Sequence, residues 1–221
     1  MPRIIKSAKG SYTAATITVD GSGRVIDASA GAGAANMTLR MTANGPSSGN
    51  FDTPANASKY IAYAFGGGGG GGAATNDTGG RPQGGPGGTG GKGFFSGSVS
   101  ASTTYAYAIG SGGAGGPANT AGNYPTYQNN PGSNGSASNV TNLFTANGGS
   151  GGTGGSHGTP APSGSDGTVP GGNALSNANF LHGNPSLNAG GAGGPFSSGG
   201  PNGPRAGSSG GGGHITLYDN G

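Results

Sequence analysis

Residues 84–93 read GGPGGTGGKG, which divides into Gly-Gly-Pro, Gly-Gly-Thr and Gly-Gly-Lys. The same phasing returns as GGSGGTGGS over 148–156, and as GGAGGP at both 112–117 and 190–195. Unphased Gly/Ser-rich segments are flexible linkers. A strict triplet is instead the period of the polyproline II conformation, with three residues per turn and a rise of about 3.1 Å. In a GGX run two of the three faces carry no side chain. Neighbouring runs can then approach until backbone N–H meets C=O of the next run. The third face carries Pro86, Thr89 and Lys92 in one run and Ser150, Thr153 and Ser156 in another. Those faces are expected to meet solvent or a partner layer.

Composition sets the frame for this reading. Of 221 residues 57 are glycine and 15 proline, 29% are hydrophobic and 7% charged, and the net charge is only +3. The usual glycine share is about 7%. An oily core large enough to order the whole chain is not available. Ordering by interchain backbone hydrogen bonds, each worth roughly 0.5–1.5 kcal/mol net, is the alternative. Because glycine loses the most backbone entropy on ordering, several runs must pack together. Collagen is excluded, since it needs one glycine in every third place over long proline-rich tracts.

Six glycine runs are apparent: 66–72, 84–93, 110–116, 148–155, 190–194 and 210–213. Their leading structural glycines are Gly66, Gly84, Gly112, Gly148, Gly190 and Gly210. Residues 1–65 have a different character. Two β-rich stretches, Ala15 to Val19 and Arg24 to Asp27, flank Asp-Gly-Ser-Gly as in a hairpin. Met37, Leu39 and Met41 alternate with Thr38, Arg40 and Thr42, the pattern of a half-buried strand, and KYIAYAF (59–65) reads as another. ASKYIAYAFGGGG (57–69) aligns with ASTTYAYAIGSGG (101–113), matching Tyr63 to Tyr107 and Phe65 to Ile109. TNLFTANGGSGG (141–152) and NFLHGNPSLNAGGAGG (179–194) are looser versions. Such recurrence marks a repeated structural unit. The terminal GGGGHITLYDNG inverts the order, glycines then strand, as expected of a cap.

Catalytic and cofactor chemistry find no support. Cys is absent, so no thiolate metal site or disulfide can form, and with Glu also absent and the six Asp dispersed, no paired carboxylates suggest acid–base work. His157, His182 and His214 are not at metal-ligand spacing. Gly149-Ser150-Gly151 is a triplet phase rather than a nucleophile elbow, and Gly91-Lys92 is followed by Gly93, not by Ser or Thr as in a phosphate loop. The expectation is no enzyme, no cofactor and no metal. Basic residues form no stripe, which argues against nucleic acid. No apolar run approaches the ~20 residues of a membrane span, and the N-terminus lacks an apolar signal core.

The aromatic strand entering a glycine run (YAYAIGSGGAGG), the several GGX tracts and the final GGGGHITLYDNG resemble the glycine-rich domains of bacteriophage tail-fibre adhesins and tail-tip proteins, those of T-even-like phages above all. The resemblance covers residues 57–221. It implies an N-terminal attachment domain and a distal domain of stacked polyglycine II helices whose loops bind host outer-membrane receptors. The expected architecture is mostly β and irregular, with almost no α-helix. A small β attachment domain (1–65) precedes a polyglycine II bundle with long surface loops and a C-terminal capping strand (66–221).

The resemblance further implies a virion protein made in the host cytoplasm. It would join other virion proteins through its N-terminal region and contact a host receptor through its loops, with a homotrimer suggested by analogy. The receptor-reading loops are expected within 117–147 and 157–189. Candidate contacts are Tyr124, Tyr127, Gln128, Phe180 and His182, tyrosine offering rigid area with a polar tip. Tyr124 and Tyr127 serve equally well as packing over the bundle, and Phe180 with Leu181 suits sealing it. A purely structural tail or capsid-surface protein is the alternative. An ice-binding protein is a third reading, which the mixed X residues disfavour.

Overall fold

The computed structural model describes residues 16–19, 25–29, 37–73, 84–118, 130–155, 161–175 and 206–221. It contains strands and extended segments and no α-helix among the described residues. The chain divides into two compact units, Met1–Met37 and Thr38–Gly221. In the first, β1 (Thr16–Val19) pairs antiparallel with β2 (Val25–Ser29), the hairpin expected around Asp-Gly-Ser-Gly.

The second unit holds two antiparallel sheets. One has the order β10-β6-β5-β11-β3 and the other β4-β7-β8-β9. Their strands are β3 (Thr38–Asn44), β4 (Ser47–Asp52), β5 (Lys59–Phe65), β6 (Lys92–Ser98), β7 (Thr104–Ile109), β8 (Ser138–Val140), β9 (Phe144–Ala146), β10 (Asn173–Ala174) and β11 (His214–Asp219). The alternation in 59–65 turns Tyr60, Ala62 and Ala64 inward. Small alanines there let the other sheet's Phe144 come close, and it stacks on Phe95 at 4.8 Å and on Tyr60 at 5.9 Å. Val140, Ile215 and Leu217 complete a core confined to this sandwich, whereas the equally buried Phe65 lies on the other face of β5, beside His214. The scarce apolar residues are therefore concentrated at one end of the unit.

Two expectations change here. Strands β3, β4 and β5, grouped with the head by their composition, belong to the second unit, because β5 pairs with β6 and β11, and β3 with β11. The C-terminal strand is not a cap. β11 lies between β5 and β3, where burial of Ile215 and Leu217 makes it a central strand.

Strands β5, β6, β7, β8, β9 and β11 each continue into, or out of, one extended run, and a seventh run is joined to β10 through a turn at 169–172. In chain order these are run A (66–73), B (84–91), C (110–117), D (130–137), E (147–155), F (161–168) and G (206–213). Run A is wholly buried, and its amides point in three directions in rotation. Gly66, Gly69 and Gly72 donate to the carbonyls of Gly91, Gly88 and Gly85 in run B. Gly67, Gly70 and Ala73 donate to Ser136, Ser133 and Asn130 in run D. Gly68 and Gly71 donate to Gly211 and Ser208 in run G. Its carbonyls accept in turn from Gly113 and Gly116 of run C and from Gly149, Gly152 and Gly155 of run E. The amide at every third residue returns to the same neighbour, so GGX phasing is a requirement of contact. A Cβ on Gly70 would overlap the backbone carbonyl of Ala114, and one on Gly69 that of Ser150.

The sandwich and the runs meet at a buried polar joint. The fully buried Ser138 accepts a hydrogen bond from Gly110 N at 2.9 Å. His214 lies 2.8 Å through Nδ1 from Asn44 Oδ1 and 2.7 Å through Nε2 from Thr216 Oγ1, beside the Phe65 ring. These partners suit a neutral ring, with one nitrogen donating and the other accepting. Burial lowers the His214 pKa from 6.5, opposed in part by contact with the Ala43 backbone. The unfolded chain therefore takes up this proton first as pH falls. Stability is complete above pH 6.5 and declines as the pH drops below it. A fall in Tm between pH 7 and 5, flattened in His214→Gln, is expected in a thermal melt series. An unchanged slope in the variant would refute this role.

Candidate functional site

The runs fix where the connecting segments emerge. Runs A, C and E leave the sandwich, and B, D and F return to it. A is antiparallel to B and D and parallel to C and E, as the paired residue numbers show: Gly66 meets Gly91 while Gly72 meets Gly85, but Gly113 meets Gly68 while Gly116 meets Gly71. The chain thus leaves the bundle at Ala73, Ala118 and Gly155, all at the end remote from the sheets.

The exits and entries are hydrogen-bonded to one another. Ala73 N donates to Asn130 O at 3.0 Å, Gly155 N to Ala73 O at 2.9 Å, and Gly85 N to Thr153 O at 2.8 Å. Asn130 Nδ2 reaches Pro117 O at 3.0 Å and Thr153 Oγ1 reaches Pro162 O at 3.0 Å, bracing two of the mouths. The described residues at this end are small or neutral: Ala73, Gly84, Pro117, Ala118, Asn130, Gly155 and Ala161. Three connections, 74–83, 119–129 and 156–160, therefore start and finish on one platform held mainly by backbone bonds.

The expected loop boundaries contract accordingly. Residues 130–137 and 161–168, taken for loop on composition, are runs D and F. Gly132 and Gly135 are the D residues that face run A, and Gly164 and Gly167 donate from F to Pro86 and Thr89 of run B. A peripheral run needs glycine only on its inward face, so it shows one glycine per triplet, and its Ser, Asn and Asp look like loop. Gly66, Gly84, Gly112, Gly148 and Gly210 lie in runs A, B, C, E and G. Gly190, Tyr124, Tyr127, Gln128, Phe180 and His182 lie outside the described residues. Tyr124, Tyr127 and Gln128 fall in the connection between Ala118 and Asn130, both at the far platform.

A groove of about 570 Å³ runs along the flank beside run F, lined by Thr89, Lys92, Asp166, Thr168, Val169 and Leu175. Its carboxylate is engaged: Asp166 Oδ1 accepts from both Thr89 N and Thr89 Oγ1 at 2.8 Å. That pairing clips run F to run B. Among the described residues no three His, Cys, Asp or Glu gather as a metal site. No protein-family model and no curated protein matches this sequence.

Proposed function

We propose that the chain is a virion protein of a tailed bacteriophage, sited at the tail fibre or tail tip, whose runs are polyglycine II helices displaying host-recognition loops. The observation that carries this is the common platform: three separate connections leave and re-enter the bundle at one end, remote from the sandwich. A scaffold whose ordering depends on backbone contacts leaves the composition of those connections free, which is what a surface that must match varied receptors requires. On this reading Tyr124, Tyr127 and Gln128, in the connection 119–129 that begins and ends on the platform, make the receptor contact, and the N-terminal unit joins other virion proteins.

Binding of fluorescently labelled full-length protein to a panel of Gram-negative cells tests this. Saturable binding to some strains is expected, falling at least about tenfold in Tyr124→Ala/Tyr127→Ala with an unchanged Tm. No binding to any strain, or undiminished binding by the double variant, would favour the purely structural virion role instead.

A further inference from the structure

Four Asn–Gly pairs lie among the described residues, at 44–45, 134–135, 147–148 and 220–221. In such a pair the glycine nitrogen can attack the asparagine side-chain amide, because no side chain on the second residue hinders the approach. Three of these pairs stand at the margin of an element. The first lies between β3 and β4, the third opens run E, and the last follows β11. Asn134–Gly135 lies inside run D, and packing dictates both of its letters. A Cβ on Gly135 would overlap the backbone carbonyl of Gly67 in run A, so only glycine fits there. Asn134 is exposed, and its Oδ1 accepts from Gly151 N of run E at 2.9 Å.

The same contacts occupy the reacting groups. Gly135 N donates to Gly149 O at 2.8 Å, and the Asn134 amide is turned toward Gly151. Cyclisation requires both bonds to run E to break. The surrounding bonds also set a strict length for this stretch. Ser133 O and Ser136 O accept from Gly70 N and Gly67 N at 2.9 and 2.8 Å. Ser133 N and Ser136 N donate to Ala114 O and Ser111 O at 2.8 and 2.9 Å. Runs A and C therefore both hold residues 133 and 136 one triplet apart, about 9.3 Å from three rises of about 3.1 Å.

We propose that Asn134–Gly135 is a latent modification site, sealed while runs D and E are bonded and converted to isoaspartate when they part, after which run D cannot re-enter the bundle. Once the pair is released, base takes the proton from Gly135 N, and that nitrogen bonds to Asn134 Cγ. The side-chain nitrogen leaves as ammonia, and a cyclic succinimide remains. Water then opens one of its two carbonyls. Opening at Cγ gives an aspartyl residue on the original backbone. Opening at the main-chain carbonyl leaves the chain running through Cβ and Cγ, longer by one bond of about 1.5 Å. Added to contacts of 2.8–2.9 Å, that shift carries the bonds on one side of position 134 out of hydrogen-bond range, about 3.5 Å. The aspartyl product keeps an acceptor for Gly151 N, as Asp166 Oδ1 already is for Thr89 N at 2.8 Å. Reversible opening of the bundle thereby becomes irreversible loss.

Peptide mapping by mass spectrometry, with aspartyl and isoaspartyl forms separated, tests the proposal on the full chain held at mildly alkaline pH. In denaturant the pair is expected to deamidate at least about a hundredfold faster than in the folded protein. Equal rates in the two conditions would overturn the sealing. After return to native buffer, chains carrying the aspartyl product at position 134 are expected in the folded fraction and those carrying isoaspartate in the unfolded one. Isoaspartyl chains in the folded fraction would overturn the trapping. Asn134→Asp is expected to fold with nearly the parent Tm. Its failure to fold would equally refute the proposal, since added charge and not backbone length would then explain the loss. Should the parent not refold from denaturant, the folded protein is aged in native buffer instead. Isoaspartate at position 134 must then elute apart from the folded peak in size exclusion, and its presence within that peak would refute the assignment.

Discussion

Gly70→Ala is expected to unfold the glycine bundle, although it adds a single methyl group. The new Cβ would overlap the backbone carbonyl of Ala114. Backbone cannot rotate aside as a side chain does, so run C as a whole must move. Moving it strains the bonds from Gly113 and Gly116 to run A and those from Ser133 and Ser136 to run C. Overpacking alone costs about 1–3 kcal/mol, and four hydrogen bonds at roughly 0.5–1.5 kcal/mol each are put at risk. A loss of about 4 kcal/mol or more follows, a large part of a typical domain's stability. Ala114→Ser, on the exposed face of run C, is expected to change stability by less than about 0.5 kcal/mol. Denaturant unfolding of both variants decides the matter. Comparable stabilities would mean that the runs do not pack at this spacing.

Arg40→Ala is expected to be the most damaging change in the sandwich that leaves its apolar core intact. Asp219 is fully buried, and its Oδ2 is held by Arg40 Nε at 2.6 Å. Its Oδ1 accepts from Gly221 N at 3.0 Å, and Arg40 Nη2 donates to Gly221 O at 2.8 Å. The guanidinium thus clamps the last residues against β3. Removing it leaves a carboxylate in the core with one backbone partner, a loss of about 3 kcal/mol. The double variant Arg40→Leu/Asp219→Leu should recover much of this, since it removes both charges together. Chemical denaturation of single and double variants measures the coupling. An additive pair would show that the clamp contributes little.

Local alternation in the sequence was enough for β1, β2, β3, β5 and β11, because each carries β-branched or aromatic residues in register with the pleat. β4 (SSGNFD) and β6 (KGFFSGS) were not legible. Their serines and glycines have poor strand preference, and pairing with β7 and β5 overrides it. In the bundle, legibility follows the number of neighbours. Run A, ringed by five runs, is glycine at seven successive positions, and runs B and C show the GGX triplet. Run F touches only B and E and keeps one glycine in three, so composition alone could not separate it from loop. The platform was invisible for another reason: it depends on run direction, which only the pairing of distant carbonyls and amides reveals.

Because strands β5, β6, β7, β8, β9 and β11 continue directly into or out of runs, sandwich and bundle share a set of collinear backbones. A pull applied at the far end and resisted at the sheets would act along every run at once. The hydrogen bonds lie across that axis, so they would be loaded together in shear, not peeled apart one by one. Mechanical rupture would then require many bonds to fail simultaneously, and tensile strength would grow with the number of runs engaged, independently of how many apolar side chains the protein can bury.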